Sequence, residues 1–273
     1  MSGIRKPVAA GYFYPSNPVE LKENINLFLA ASKPTSMISN LFGIVSPHAG
    51  YIYSGKTAAY VYTLLDGSNI ETVVIISPSH REYFQGISIY DGDAYETPLG
   101  IIRINDIMSE KLTAGSKSIF RGIAGHKAEH AIEVQLPFLQ VVLKEFEIVP
   151  IVMGDQSERL ISELSSKFAE IIDGKTLIVA SSDLSHYHEK SIAYGLDSIV
   201  ENRINNFEYE KLRADLEKGK CEACGGGPIV AMMQCASILN KKRAVVLHRS
   251  DSGDISGNNK EVVGYLSAAV YGD

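Results

Sequence analysis

Four of the seven histidines in this 273-residue chain follow short apolar runs that are typical of buried strands. Gly43–Pro47 precedes His48, Thr72–Ser77 precedes His80, and Thr176–Ser181 precedes Asp183, His186 and His188. In an open α/β sheet, the loops that follow the carboxyl ends of strands converge on one crevice where ligands bind. A single loop histidine is usually a hydrogen-bonded polar residue without a functional role. Several histidines at one sheet edge favour a metal site or a proton-transfer site.

The cysteines add a candidate ligand or nucleophile. Three cysteines do not describe a disulfide framework, and they fit a reducing compartment. Cys221 and Cys224 have the spacing of a zinc half-site or a dithiol pair, but Cys235 is the only further cysteine and reads as a core residue. Cys224 precedes the predicted helix Pro228–Leu239, whose positive dipole end favours a thiolate. The alternative is a small buried residue in a turn.

Two more polar groups lie in the segment GHKAEHAIEVQLPFL. His126 and His130 flank the start of a predicted helix, where Glu129 and His130 are candidate cap residues. The alternatives for the two histidines are a direct catalytic role and a supporting role behind the ligands. The glycine run after Cys224 permits a tight backbone path next to a ligand, although a turn alone would explain it.

The elements that must position these residues alternate between strands and helices. The predicted helices are Val19–Ala31, Gly55–Leu65, His130–Lys144, Ser157–Ile172, His188–Asn205, Phe207–Gly219 and Pro228–Leu239. Further predicted strands are Glu147–Met153, Ala244–Arg249 and Val262–Tyr271, with a peripheral hairpin of Ile87–Tyr90 and Gly100–Ile104. This alternation predicts an α/β sandwich with a central, largely parallel or mixed sheet flanked by helices. No repeat or linker interrupts the pattern, so we expect a single domain over residues 1–273.

Composition narrows the classes of partner. The net charge of -6 and the pI near 5.7 argue against a nucleic-acid partner. No apolar run reaches the roughly 18 residues of a membrane-spanning helix, and the first residues lack the apolar stretch of a secretion signal. We therefore expect a cytoplasmic protein with no membrane partner.

Five motifs, in order and spacing, resemble those of the Memo family. They are SPHAGYIYSG at Ser46–Gly55, SPSH at Ser77–His80, EHAIEVQLPFL at Glu129–Leu139, SSDLSHY at Ser181–Tyr187 and CGGGPI at Cys224–Ile229. The opening RKPVAAGYFYP and the final GYLSAAVY are also similar to that family. The resemblance therefore covers essentially the whole chain.

The resemblance implies a fold like that of the class III extradiol dioxygenases and a mononuclear metal pocket. His48 and His80 then occupy the two histidine-ligand positions, and Cys224 stands where the dioxygenases place a carboxylate. Asp183 and His186 line the same pocket, with His186 at the acid/base position. A thiolate is softer than a carboxylate, so Fe(II) or copper is expected, zinc is a further option, and ring cleavage does not follow.

Three functions are compatible with these residues. The leading hypothesis is a metal-dependent oxidoreductase, since Memo family members are associated with copper- or iron-dependent redox activity. The second is a binding module for a small molecule or a peptide, because a eukaryotic relative binds phosphopeptides through the same cleft. The third is a hydrolase with Cys224 as nucleophile and His186 as base. The resemblance also implies a functional link to AMMECR-type and radical SAM proteins.

Overall fold

The computed structural model describes residues 3–32 and 38–273, and its strands form one large and one small sheet. The strands are β1 (Ile4–Arg5), β2 (Leu41–Ser46), β3 (Thr72–Pro78), β4 (Ile87–Tyr90), β5 (Ala94–Thr97), β6 (Gly100–Arg103), β7 (Ile119–Gly122), β8 (Glu147–Met153), β9 (Thr176–Ser181), β10 (His186–His188), β11 (Arg243–Asp251) and β12 (Val262–Tyr271). The large sheet has the order β10-β12-β2-β9-β3-β8-β4-β7, and β11 also pairs with β12. The small sheet has the order β1-β5-β6.

The centre of the large sheet is parallel. Strands β2, β9, β3 and β8 are neighbours that run in the same direction. Beyond them the pairing becomes antiparallel, with β12 beside β2 and β4 beside β8. The central strands are buried on both faces, which explains why their sequences are almost continuously apolar. The large sheet is therefore mixed, as the sequence predicts.

Helices cover both faces of this sheet. They are α1 (Pro18–Ala31), α2 (Tyr51–Tyr62), α3 (Asp106–Thr113), α4 (Leu136–Val142), α5 (Glu158–Ile171), α6 (Lys190–Asn205), α7 (Tyr209–Glu217), α8 (Gly226–Ile238) and the short α9 (Gly253–Ser256). Successive residues of β3 alternate between two apolar clusters: Val74 and Ile76 pack with residues of α5 and α8, and Val73 and Ile75 with residues of α1, α2 and α4. Among the described residues, no helix is long and apolar enough to cross a membrane.

The largest differences between the predicted and observed elements concern the hairpin and the helix from His130. The hairpin of Ile87–Tyr90 with Gly100–Ile104 is wrong, because β4 lies within the large sheet between β8 and β7, whereas β6 pairs with β5. All four residues of β4 are buried, so burial within the large sheet stabilises this strand more than pairing in a peripheral hairpin would. The helix predicted from His130 begins later, since a 3-10 turn at Glu133–Gln135 precedes α4. Pro137 lacks a backbone N–H and is tolerated in the first turn of α4.

A buried ion pair ties the N-terminal segment to the turn before α4. Arg5 Nη1 donates to Glu133 Oε2 at 2.7 Å, and the two side chains are 5% and 0% exposed. Glu133 also accepts a hydrogen bond from the Tyr14 hydroxyl at 2.5 Å. Arg5 donates in addition to the backbone carbonyls of His126 and Glu129. The network therefore fixes the N-terminal segment against the segment that contains His126 and Glu129.

Candidate metal centre

Three neighbouring parallel strands deliver polar residues to one edge of the large sheet. His48 lies two residues after β2, Asp183 two residues after β9, and His80 two residues after β3. The ring centroids of His48 and His80 are 5.0 Å apart, and the rings are nearly perpendicular at 76°. The strand order β2-β9-β3 thus brings the three predicted site residues together.

Hydrogen bonds fix the orientation of His48, which is buried. Its Nδ1 lies 2.9 Å from Ser181 Oγ. The hydroxyl of Ser181 donates to the carbonyl of Ala131 at 2.8 Å and accepts from Gln135 Nε2 at 2.8 Å. Because the serine proton is already used, we assign the proton of the imidazole to Nδ1, which leaves the lone pair on Nε2. Burial, with His80 close by, lowers the pKa of His48 to about 3, so the ring is neutral at pH 7.

His80 is oriented by the buried carboxylate of Glu129. Glu129 Oε1 lies 2.9 Å from His80 Nδ1, and Oε2 accepts the backbone N–H of His80 at 2.7 Å. Burial alone would raise the pKa of Glu129, but hydrogen bonds, those from His80 foremost, outweigh it and lower the pKa to about 2. The ionised Glu129 therefore holds the proton of His80 on Nδ1. The Nε2 atom of His80 then carries no proton, and its lone pair remains free to bind a metal ion.

Asp183 connects two of the candidate ligands. Its Oδ1 accepts the backbone N–H of His48 at 2.8 Å, and its own N–H donates to Cys224 Sγ at 3.2 Å. Its carbonyl accepts the backbone N–H of Cys224, also at 3.2 Å. Burial raises the pKa of Asp183, against the hydrogen bond from the backbone of His48. Asp183 therefore positions His48 and Cys224 relative to each other.

Cys224 reaches the site from the loop before α8, and its Sγ lies 3.3 Å from Nε2 of His48. Part of the residue is accessible to solvent, but protein surrounds the thiol. Burial, with the carboxylate of Asp183 nearby, raises the pKa of Cys224 well above its usual range. The backbone N–H of Gly225, at the start of α8, lowers the pKa of Cys224, in the direction that the sequence predicts, but this effect is too small to keep the thiol ionised. Burial and the carboxylate outweigh the helix end.

The three donors fit a single metal ion. One ligand atom from each of His48, His80 and Cys224 lies within 4.8 Å of the other two. Metal bonds of about 2.0–2.1 Å to an imidazole and 2.3 Å to a thiolate separate nitrogen from sulfur by about 3.5 Å at a tetrahedral angle. The observed separation between His48 Nε2 and Cys224 Sγ is 3.3 Å. Binding of a metal ion here would displace the thiol proton.

A second possible group, His80, Glu129 and His130, also has ligand atoms within 4.8 Å of one another. However, ligand atoms of this group already form hydrogen bonds within the protein. Glu129 Oε1 accepts from His80 Nδ1 and from the backbone N–H groups of His130 and Ala131, each at 2.9 Å. Burial, with His48 nearby, lowers the pKa of His130 to about 4, so its ring is neutral. An ion would have to break the bonds that orient His80, so we interpret this group as a support for the first.

His186 lies in the wall of a cavity that reaches one of the three donors, Cys224. Its Nδ1 lies 2.8 Å from the carbonyl of Leu184, which assigns the proton to Nδ1 and leaves Nε2 as the free acceptor. The cavity has a volume of about 430 Å³, and Cys224 forms another part of its wall. Ile161 and Val230 give it an apolar surface. A space of this size and lining is suited to a small organic molecule.

The glycine run after Cys224 is required by packing within the protein. A Cβ atom at Gly225 would lie 2.2 Å from the carbonyl oxygen of Ser181, and one at Gly227 would lie 2.8 Å from the side chain of Gln156. These glycines let the start of α8 approach the end of β9. The close approach that the sequence indicated is therefore to protein atoms.

The residues that set the two histidine tautomers are not evident from the sequence motifs. Ser181 and Gln135 orient His48, and Glu129 was considered only as a cap or a supporting residue. Glu129 does accept the N–H groups of the two residues that follow it, as a cap would. A usable signal was the placement of Glu129 and Gln135 in an otherwise apolar segment, because buried polar side chains need partners.

We expect Glu129→Gln to weaken metal binding about 10- to 100-fold, as is typical when a carboxylate behind a metal-bound histidine is lost. The neutral amide no longer fixes the proton of His80 on Nδ1. Competition with a chromophoric chelator would measure the affinity. Glu82→Gln is the matched control, because this exposed carboxylate lies in the loop that carries His80 and accepts from the N–H of Gly125 instead. Equal affinities of both variants and the unmodified protein would contradict the assigned role.

Comparison with known proteins gives a consistent result over nearly the whole chain. A family model described as "Memo-like protein" matches residues 5–269. The chain is 36% identical over 268 residues to a MEMO1 family protein of Nitrosopumilus maritimus, covering 96% of this chain and 98% of the relative. It is 37% identical to one of Thermoplasma volcanium, covering 97% of each chain. It is 38% identical to one of Thermoplasma acidophilum, covering 96% and 97%.

Proposed function

The chain belongs to the Memo family, and from that premise we propose that it is a metal-dependent oxidoreductase in which His48, His80 and Cys224 hold one iron or copper ion. The observation that carries the proposal is the convergence of His48 Nε2 and a ring nitrogen of His80 on the thiol of Cys224. Two imidazoles with a thiolate suit iron and copper, and zinc is the further option. The proposal includes a relation in fold to the class III extradiol dioxygenases, with Cys224 in place of their carboxylate ligand.

Iron or copper bound at this point would supply one-electron redox chemistry. Asp183 would keep His48 and Cys224 at their present separation through its backbone and side-chain hydrogen bonds. His186 would exchange a proton, through its free Nε2, with a molecule in the adjoining cavity. The apolar wall of that cavity would exclude water from the organic part of the molecule.

Metal content tests the proposal directly. After anaerobic purification, the unmodified protein should retain about one equivalent of iron or copper per chain, and the His48→Ala/Cys224→Ala variant should retain none. Crystals measured at the iron, copper and zinc absorption edges would identify the ion at the three donors. Equal metal content in both proteins would refute the metal site, and zinc alone would refute the redox part.

The cavity favours a second candidate, the binding of a small molecule or a peptide segment without turnover. Its 430 Å³ volume and its lining of both apolar and charged side chains need no metal ion to hold a ligand. A thermal-shift screen of small molecules and peptides would separate the two candidates. Stabilisation that persists in His48→Ala would favour binding alone, and stabilisation that requires a loaded metal ion would favour metal chemistry.

The third candidate, a hydrolase with Cys224 as nucleophile, has less support because the imidazole nitrogen next to the thiol belongs to His48. We expect iodoacetamide to alkylate metal-free Cys224 slowly at pH 7. The raised pKa keeps the thiol protonated, so the rate should rise only at a pH above that for a free cysteine. Mass spectrometry of the labelled peptide would follow the reaction. Rapid labelling at pH 7 that slows in His186→Ala would favour the hydrolase instead.

A further inference from the structure

His130 places a third imidazole in the metal pocket. Its ring centroid lies 5.0 Å from that of His80 and 5.5 Å from that of His48. Its side chain is 15% exposed, so it is not sealed within the core. The set of donor atoms formed by His48, His80 and Cys224 does not include it. Within the described residues, His130 therefore stands beside the candidate ion without belonging to its ligand set.

Contacts on several sides fix the ring of His130. Its backbone N–H donates to Glu129 Oε1 at 2.9 Å, and its Nδ1 faces the same oxygen at 3.4 Å. The ring of Phe13 packs against it with a centroid separation of 4.4 Å. Phe13 is held in turn, because its carbonyl accepts the backbone N–H of Tyr51 at 2.7 Å. Packing against Phe13 and the approach to Glu129 therefore restrict the orientation of the imidazole.

The orientation of His130 leaves one ring nitrogen free. The ionised carboxylate of Glu129 favours the proton on Nδ1, the nitrogen that faces it. Nε2 is then an acceptor on the other side of the ring. In residues 3–32 and 38–273, no side chain or backbone group donates a hydrogen bond to that atom. A firmly held acceptor without a protein partner, next to a candidate ion, is suited to a ligand that carries a proton.

We propose that His130 is a specificity-determining residue that accepts a hydrogen bond from a hydroxyl group, or from water, bound at the open position of the metal ion. The inference rests on the proposed function, because it needs the ion in place. The expected ligands are small hydroxyl-bearing molecules, which should bind better than ligands without a proton to donate.

Two small probes and one substitution test this assignment. In protein loaded with Co(II), the visible absorption spectrum would report the binding of phenol, which carries a hydroxyl group, and of azide, which binds without a proton. His130→Phe keeps a ring against Phe13 and removes the acceptor. We expect phenol to bind about 3- to 10-fold more weakly, the effect of one lost hydrogen bond. Azide affinity should change less than about twofold, within the range of an altered surface contact.

Further variants separate the outcomes. His130→Gln offers an amide oxygen as acceptor and should recover part of the phenol affinity. His188→Phe is the matched control, because His188 pairs with Glu222 instead of facing the pocket, and it should change neither probe. Loss of cobalt from His130→Phe, equal weakening of both probes, or no change in either would overturn the inference. Failure of the unmodified protein to bind cobalt would refute the metal site itself.

Discussion

Cys224→Ala is expected to weaken the binding of Cu(I) or zinc on the order of 10²–10³-fold. Structural zinc sites with four protein ligands are worth about 10–16 kcal/mol, or about 2.5–4 kcal/mol for each ligand. The loss should be larger for these soft ions than for Fe(II), because thiolate is the soft donor of the set. Competition titrations under anaerobic conditions, with a separate chelator for each metal, would give the affinities.

Two further variants, Cys235→Ala and Cys224→Asp, serve as controls. Cys235 is buried in the apolar cluster around α5 and α8, so Cys235→Ala should leave the metal affinity unchanged. Cys224→Asp places a carboxylate at the same position and should bind Fe(II) better than Cys224→Ala while remaining weak for Cu(I). If Cys224→Ala and Cys235→Ala bind Cu(I) equally well, the thiol of Cys224 is not a ligand.

The location of the candidate site follows from the sequence for a simple physical reason. β2, β3 and β9 are short, apolar and rich in β-branched residues, so their ends are visible in the chain. Parallel strands place their carboxyl ends at one edge, and the residues just beyond those ends must meet there. This rule alone predicts that His48, His80 and Asp183 lie close together. The prediction that Cys224 joins them depended chiefly on the family resemblance, because the loop that contains Cys224 does not follow a strand.

The details of the site depend on tertiary contacts that sequence patterns do not contain. The proton on Nδ1 of His48 depends on Ser181, which is 133 residues away. The thiol form of Cys224 depends on how completely the fold surrounds it. The place of β4 in the large sheet was missed because a short apolar strand fits a hairpin and a sheet interior equally well. Spacing along the chain therefore predicts which residues lie close together, whereas the protonation state of each side chain depends on its contacts in the folded protein.

Arg5→Met is expected to lower the free energy of unfolding by about 3–5 kcal/mol, the usual result of breaking a buried ion pair from one side. Glu133 would then be a carboxylate with 0% side-chain exposure and no cation beside it. Its bond from Tyr14 offsets only part of the cost of burying the charge. Equilibrium unfolding in urea would measure the change, and Arg5→Met/Glu133→Gln should recover part of it because no charge is left unpaired.

Lys6→Met is the matched control for this prediction. Lys6 neighbours Arg5 and also forms an ion pair, with Glu96, but its side chain is 70% exposed. Exposed pairs contribute about 0–1 kcal/mol, so the control should unfold close to the midpoint of the unmodified protein. Similar small effects of both substitutions would mean that the Arg5–Glu133 pair is as well hydrated as a surface pair. A large effect confined to Arg5→Met would instead identify the N-terminal segment as a principal support of the segment that carries Glu129 and His130.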